Sequence, residues 1–303
     1  MHICPPPIAE LNNWLKDYPS TNGDYGHLLL EQQCDCTPPL MNGLREYFES
    51  AHLDAREYFH AAIGIDLHPD ASTSGINACY PNCLPETARR GLFGEVMAGL
   101  VAEGYEFVGS HKWTVPIFLF RYHGDVEQYL FSLARNPHRG RNVLGRLGSD
   151  FIGLSLGGDN SVERIIVGEA KWRKTLSKAI VKNLLTGVGG IWQKMNNDTP
   201  IPHGLRQLQR LLQERDPEGS AAIIISLDEV LLLRNQISIP RTDLVLIVGN
   251  NYPRRKDGET LIGWEEKPGE YRAGNDLQVV EIYLNDGEDL ITQIYDSLWV
   301  GED

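Results

Sequence analysis

The amino-acid sequence predicts an α/β (α+β) fold with a mixed central sheet flanked by helices. Apolar residues recur at helical spacing over residues 86–103, which predicts an amphipathic helix. Two apolar segments, residues 150–156 and 162–169, are separated by glycine, aspartate and asparagine, a pattern typical of a β-hairpin. Beyond the hairpin, helical and strand-like segments alternate to the end of the chain, as in a sheet covered by helices.

The other elements follow from the same periodicities, and they suggest two regions. Further helices are predicted at residues 44–59, 126–134, 172–185, 204–215 and 289–299. Further strands are predicted at residues 105–108, 115–122, 221–227, 243–248 and 277–284. Residues 1–85 are rich in proline, cysteine and asparagine, and we interpret them as a mostly loop-like N-terminal elaboration. Residues 86–303 form the main domain, which ends in an acidic region.

The composition favours a globular protein of the cytoplasm with no membrane partner. The chain has 303 residues, 42% of them hydrophobic, which is enough to bury a large core. We see no secretory signal and no apolar run that could span a bilayer. Five cysteines are too few for a disulfide scaffold. Cys34, Cys36, Cys79 and Cys83 could form a zinc site, but their spacing fits such sites poorly, and buried thiols are the alternative.

The charge distribution indicates which part of the chain could face a nucleic acid. The formal net charge is -13, which is unfavourable for a protein that binds a polyanion by itself. Residues 243–303 contain 14 acids and 5 bases, whereas residues 131–149 contain four arginines and no acid. The middle of the chain is therefore the predicted phosphate-facing part.

The hairpin is predicted to bring two carboxylates and one ammonium group together. A turn centred on Asp159 and Asn160 places Asp150 opposite Glu169, and directly opposed residues point to the same face of a sheet. Lys171 lies two positions beyond Glu169 and should share that face. Two opposed carboxylates beside a core require a positive partner, and a divalent cation would supply it. The alternative is a surface ion-pair cluster on a solvated face, which the apolar strands disfavour.

These residues resemble a known nuclease signature. Asp150, followed after 18 residues by Glu169-Ala170-Lys171, resembles the PD-(D/E)xK motif. The resemblance implies a restriction-endonuclease-like core of helix, three strands, helix and strand, which hydrolyses DNA with Mg²⁺ or Mn²⁺ and uses no organic cofactor. It also implies that Glu95, on the preceding helix, completes the metal site, although an exposed helical glutamate is the alternative. Ser149 stands where the family has proline, and about 45 residues separate helix from hairpin.

Basic residues near the motif are candidate phosphate contacts. The predicted nucleic-acid-binding residues are Lys174, Lys178 and Lys182 on the helix after Lys171, and Arg139, Arg141 and Arg146 in the preceding connection. Solvated surface charge is the alternative for both sets. A second acid-x-Lys triplet, Glu265-Glu266-Lys267, is followed at once by proline and glycine, so no helix can follow it. The segment 187–190 lacks the ending of a phosphate-binding loop and more simply ends a helix.

A narrower resemblance suggests a biological setting. Residues 148–154 and 168–172 are similar to the nuclease subunits of Hachiman-type antiphage systems. This implies an endonuclease effector of bacterial antiviral defence whose partner is a large helicase, an ATPase. A partner that supplies nucleic-acid affinity would also explain the acidic charge. The alternative is a non-catalytic regulatory subunit of a helicase complex with a decayed nuclease core. RNA remains an alternative substrate, because the chemistry contacts phosphate and not the sugar.

Overall fold

A computed structural model of the chain describes residues 1–63, 80–81, 84–120, 150–196, 201–232, 239–252 and 255–300. The helices are α1 (Ile8–Trp14), α2 (Pro38–Ile63), α3 (Glu86–Gly104), α4 (Lys178–Thr186), α5 (Ile191–Met195), α6 (Ile201–Arg215), α7 (Ala221–Leu232) and α8 (Gly287–Ser297). The strands are β1 (Leu15–Asn22), β2 (Tyr25–Gln32), β3 (Phe151–Leu156), β4 (Val162–Thr175), β5 (Arg241–Asn250) and β6 (Asp276–Leu284). No helix in these ranges is long and apolar enough to cross a membrane.

One six-stranded mixed sheet organises the described residues. Its strand order is β1-β2-β6-β5-β4-β3. The three inner pairings, β2 with β6, β6 with β5 and β5 with β4, are parallel, and the two outer pairings are antiparallel. The parallel strands β5 and β6 are almost continuously apolar, because helices or loops cover both of their faces. The predicted α/β class with a mixed, helix-flanked sheet is confirmed.

The sheet separates two apolar layers, and this decides where the hairpin side chains point. On one face, α1, α2, α3 and α8 pack against residues such as Ile166 and Ala170 of β4. On the other face, α6 and α7 pack against Ile165 and Val167, while α4 and α5 pack against β5 and β6. Successive residues of a strand alternate between faces. Glu169 therefore lies on the second face, between the two helix pairs.

The N-terminal region differs most from its prediction. Residues 1–85 were expected to be mostly loops, yet residues 15–32 form the hairpin of β1 and β2, and α2 is longer than the predicted helix 44–59. This part of the prediction is wrong because β1 is an edge strand with a largely polar, exposed sequence. The strand β2 joins the sheet by pairing with β6, which is far away in the sequence. Strands from both sides of the boundary at residue 85 thus belong to one sheet.

Two apolar segments were assigned to the wrong element. Residues 221–227 were predicted as a strand but begin α7, because alanine, leucine and Glu229 are good helix formers and the run extends over 12 residues. The helix predicted at 172–185 starts only at Lys178, since β4 continues to Thr175. Ser177 then caps the helix by accepting a hydrogen bond from the amide of Ile180.

The remaining predictions divide into three groups. The helices at 86–103, 204–215 and 289–299, the hairpin strands, and the strands at 243–248 and 277–284 are confirmed within a few residues at their ends. The predicted strand at 105–108 is wrong, because only a short 3-10 turn, Val108–Ser110, forms there. At 115–122 the described part forms no regular strand, and only Thr114 bridges to Leu154 of β3. The predicted helix 126–134 and the basic connection lie outside the described residues.

A buried histidine in the first layer predicts a specific loss of stability in acid. His52 is fully buried between the phenols of Tyr80 and Tyr295, with Nδ1 2.6 Å from one oxygen and Nε2 3.1 Å from the other. Burial lowers its pKa from 6.5 to about 3. Below pH 6.5, His52 is therefore protonated in the unfolded chain but stays neutral in the folded chain. The free energy of unfolding falls as the pH falls from 6.5 toward 3.

We expect the titration of His52 to lower the free energy of unfolding by about 2 kcal/mol between pH 7 and pH 5. Urea unfolding at the two pH values measures the change. The variant His52→Gln keeps polar atoms beside the phenols but does not titrate, so its unfolding free energy should fall by correspondingly less. Equal losses in the two proteins would show that His52 is not the group responsible.

Candidate active site

The register of the β3–β4 hairpin is the one predicted from its turn. Phe151 pairs with Gly168 and Ser155 pairs with Arg164, and the same register extended by one residue sets Asp150 beside Glu169. Asn160 closes the turn with a φ of 61°, a left-handed conformation that asparagine tolerates better than most residues. One irregularity follows Ser155, near the turn and away from the site. Local turn chemistry thus brings the two acids together.

Asp150, Glu169 and Lys171 are in direct contact. The ammonium Nζ of Lys171 pairs with Oδ2 of Asp150 and lies 2.9 Å from Oε2 of Glu169. The amide of Ala170 also donates to Asp150 Oδ2, at 3.3 Å. The side chains are only 15%, 6% and 23% exposed for Asp150, Glu169 and Lys171. The three side chains thus form an ion-paired cluster in which Glu169 is buried and Asp150 and Lys171 are partly buried.

Burial of the cluster disfavours the charged form of Glu169. Burial and the nearby Asp150 raise the pKa of Glu169, and the ammonium groups of Lys171 and Lys194 offset this only in part. Burial alone would lower the pKa of Lys171, but Asp150 and Glu169 outweigh it and raise that pKa above its usual value. Lys171 is therefore a firmly protonated cation that two carboxylates share. A further cation beside Glu169 would be stabilised by the same field.

Lys194 is a member of the site that the sequence did not indicate. Its Nζ lies 2.9 Å from Glu169 Oε2, the same oxygen that Lys171 contacts. It belongs to the short helix α5, which has no clear periodicity and follows α4 after a glycine-rich turn. That turn begins with Gly187, which ends α4 as predicted. The apolar residues Trp192 and Met195, on either side of Lys194 in the sequence, could have indicated that this segment packs against the core.

Two contacts fix α5 beside the sheet. Trp192 is buried and meets the ring of Tyr271 edge-on, with centroids 6.0 Å apart. Just after the helix, Asn196 donates to the carbonyl of Glu270 at 2.8 Å and accepts from the amide of Arg272 at 2.7 Å. The segment 255–275 therefore holds the backbone that carries Lys194.

Glu95 is buried, but in the other layer. It is 4% exposed, so the alternative of an exposed helical glutamate is wrong. The neighbouring Gly94 faces β4 at Ala170 and at the backbone of Trp172, at ordinary contact distance. The carboxyl of Glu95 contributes to the raised pKa of Tyr295, after the larger effect of burial. It is not among the groups that shift the pKa of Glu169 or Lys171. Its participation in a metal site remains a prediction.

The predicted basic row is not one helix face. Lys174 lies on β4 and pairs with Glu288 at 2.6 Å, so its assignment to the helix is wrong. Lys178 and Lys182 lie on α4, and both are exposed. Lys178 is 3.4 Å from Glu259, so an acid partly neutralises it. Arg139, Arg141 and Arg146 lie outside the described residues.

The second acid-x-Lys triplet does not assemble into a comparable site. Lys267 pairs with Asp24 and donates to the carbonyl of Asn275. Asp243, the acid at similar spacing before the triplet, is fully buried and accepts hydrogen bonds from Arg241 and Tyr271 instead. Glu265 and Glu266 are exposed. Both acids of the triplet are thus separated from Asp243.

Asp150 and Glu169 are the side chains that could hold a metal ion here. Both contact one Lys171 ammonium, so one small cation could lie within reach of both carboxylates. Mg²⁺ is commonly bound through one or two carboxylates and retained waters, and the donor set fits it. Within the described ranges, no group of three or more His, Cys, Asp or Glu side chains could enclose a metal. Cys34 and Cys36 are free thiols, and burial raises the pKa of Cys36 to about 11.

Comparisons with known proteins give no further assignment. No protein-family model and no curated protein matches the chain. The functional interpretation therefore depends on the residues of the site and on their geometry.

Proposed function

We propose that the chain is a metal-dependent nuclease that hydrolyses phosphodiester bonds in DNA with Mg²⁺ or Mn²⁺. The observation that carries the proposal is the contact of Asp150 and Glu169 with one Lys171 ammonium at the end of an apolar hairpin. A buried pair of carboxylates is costly unless it binds cations. Burial and the neighbouring Asp150 raise the pKa of Glu169, and Lys171 and Lys194 offset this only in part. A site of this kind is suited to a divalent ion.

The order of elements supports the same proposal. The PD-(D/E)xK resemblance implies helix, three strands, helix and strand, with acids on the second and third strands. The helix α3 precedes the hairpin of β3 and β4, and the helices α4 to α7 lie between β4 and β5, which pairs in parallel with β4. The bridge between Thr114 and Leu154 lies where the first strand is expected. Asp150 immediately precedes β3, and Glu169 lies in the middle of β4.

The residues have distinct roles in the proposed reaction. Asp150 and Glu169 would hold the ion, which would polarise the phosphate and lower the pKa of a bound water. Lys171, as a protonated donor, would orient the attacking water and balance the negative charge that develops on phosphorus. Its two carboxylate contacts place its ammonium between the acids, and the surrounding apolar strands limit access of bulk water to the centre. Glu95 lies in the layer of α3, and its role as a third metal ligand is proposed only because the PD-(D/E)xK resemblance implies it.

The biological setting is part of the proposal. We infer that the chain is an effector of bacterial antiviral defence that acts with a helicase partner. The acidic net charge of -13 supports a partner, because such a chain binds a polyanion poorly by itself. The alternative of a decayed, non-catalytic subunit is less well supported, since all three motif residues are present and in contact. The proposed roles of the site residues concern the phosphate and do not distinguish DNA from RNA.

Metal dependence tests this proposal directly. We expect nicking of supercoiled plasmid DNA with Mg²⁺ or Mn²⁺, its loss on chelation with EDTA, and its recovery when excess Mg²⁺ is added. The assay is run on the full chain alone and with its helicase partner, and single-stranded RNA is included as a competing substrate. Cleavage that persists in EDTA, or no cleavage under any of these conditions, would contradict a metal-dependent nuclease.

A further inference from the structure

Lys194 stands between the acidic centre and the solvent. Its side chain is 46% exposed, whereas those of Lys171 and Glu169 are 23% and 6% exposed. Among the described residues, its ammonium contacts one acid of the cluster, at Glu169 Oε2. A ligand that approaches Glu169 from solvent on the side of α5 would meet this ammonium before it reached the carboxylates.

The backbone of Lys194 is fixed, but its charged end can move. The helix α5 is anchored by buried Trp192 and by the hydrogen bonds of Asn196 to the segment 255–275. Lysine carries its charge on four flexible methylenes, and the half-exposed side chain has room to reorient. The ammonium can therefore follow a ligand while the helix stays in place.

The charges of the cluster give Lys194 two alternative partners. Two carboxylates face two ammonium groups, and Lys171 contacts both acids while Lys194 contacts one. A divalent cation on the carboxylates would compete with Lys194 for Glu169 Oε2 and would repel its ammonium. The exposed ammonium would then be available to an anion at the mouth of the site, and phosphate is the anion that a nuclease substrate presents.

We propose that Lys194 binds a nonbridging oxygen of the substrate phosphodiester, and that it exchanges Glu169 for this phosphate when a divalent cation binds. The inference rests on the proposed nuclease function and extends it, because it assigns a phosphate-binding residue that lies outside the acid-x-Lys motif. It also implies that Lys194 has opposite effects on two affinities: it weakens binding of the metal ion and strengthens binding of the nucleic acid.

The variant Lys194→Met tests this assignment, since methionine keeps an apolar stem of similar length without the charge. Lys16→Met is the matched control, because Lys16 is an exposed lysine on β1, at the other edge of the sheet. Mn²⁺ affinity is measured by isothermal titration of the full chain. Binding of a short fluorescein-labelled DNA duplex is measured by anisotropy in the presence of Ca²⁺.

We expect Lys194→Met to bind Mn²⁺ about 2- to 10-fold more tightly, because a competing cation is removed. We expect the same variant to bind DNA about 10-fold more weakly, because a charge-assisted hydrogen bond is lost. The variant Lys194→Arg should retain most of the DNA affinity. For Lys16→Met, both affinities should equal those of the wild type.

The possible failures are distinguishable. If Mn²⁺ and DNA affinities of Lys194→Met match those of Lys16→Met, the lysine assignment is overturned and the nuclease proposal stands. Weaker Mn²⁺ binding in Lys194→Met would also overturn it, because the lysine would then support the site only structurally. If the wild type binds no Mn²⁺ and cleaves no DNA even with its partner, the nuclease proposal fails, and the lysine assignment fails with it.

Discussion

Replacing Glu169 with glutamine should lower metal-dependent DNA cleavage by about a thousandfold or more. Glutamine keeps the shape of the side chain but removes one of the two anionic groups that could hold the ion. The substitution also removes the repulsion from Asp150, which contributes to the raised pKa of Glu169. We therefore expect the free energy of unfolding to stay within about 1 kcal/mol of the wild-type value. Plasmid nicking and urea unfolding measure the two effects, and wild-type nicking by Glu169→Gln would place the active site elsewhere.

The variant Lys171→Met should lose cleavage to a similar extent, but with a different effect on stability. It leaves two mostly buried carboxylates without the ammonium that they share, while Lys194 still contacts Glu169. We expect the free energy of unfolding to fall by about 2–4 kcal/mol. The double variant with Asp150→Asn removes one unpaired charge, so it should recover stability and recover no cleavage. A fully stable Lys171→Met single variant would argue that the three side chains are not paired in solution.

The acids of the hairpin could be predicted because their placement depends on local chemistry. The Gly-Gly-Asp-Asn turn fixes which residues of β3 and β4 oppose each other, and strand alternation fixes the face. Apolar strands also made burial of the cluster predictable. Nothing beyond residues 150–171 was needed for this, and the observed register agrees with the prediction.

Lys194 and the N-terminal strands could not be predicted because they depend on distant contacts. Lys194 reaches Glu169 only because α5 packs under Tyr271, which is far away in sequence. The strand β2 is recognisable as part of the sheet only through its pairing with β6. The apolar start of α7 fits strand and helix equally well over seven residues, and only its continuation to Leu232 decides between them. A single sequence carries little information on such pairings.

The acidic C-terminal region is more internal than its composition suggests. Asp243 and Glu281 are fully buried, and their carboxylates accept hydrogen bonds from groups of the same region and from β2. Glu31 of β2 likewise pairs with the largely buried Arg255. These acids fasten the segment 255–275 across the sheet. The count of 14 acids and 5 bases therefore overstates the negative charge that this region presents to a partner.

Replacing Glu281 with alanine should produce the largest loss of stability, about 3–5 kcal/mol of unfolding free energy. Its carboxylate accepts from the amides of Leu261 at 2.9 Å and Ile262 at 2.8 Å, from the phenol of Tyr283 at 2.7 Å, and pairs with Nε2 of His27 at 3.0 Å. Alanine leaves these groups without this acceptor, and His27, Ile262 and Tyr283 are buried. Urea unfolding gives the magnitude, and Glu265→Ala, which removes an exposed acid of the same region, should stay within about 0.5 kcal/mol of wild type.

The substitution Glu281→Ala should also affect the active site, because Glu281 contacts the segment 255–275, which packs against α5. When Leu261 and Ile262 lose their acceptor, the segment 255–275 is held less firmly beside β6, and the packing of Tyr271 against Trp192 is weakened, although Asp243 still accepts a hydrogen bond from Tyr271. Native-state hydrogen exchange should then be faster at these two amides and across α5, with little change in α3, which packs in the other layer. DNA affinity in Ca²⁺ should fall in Glu281→Ala even under conditions where the chain is folded. Protection of α5 that equals the wild type would show that Lys194 is positioned independently of this carboxylate.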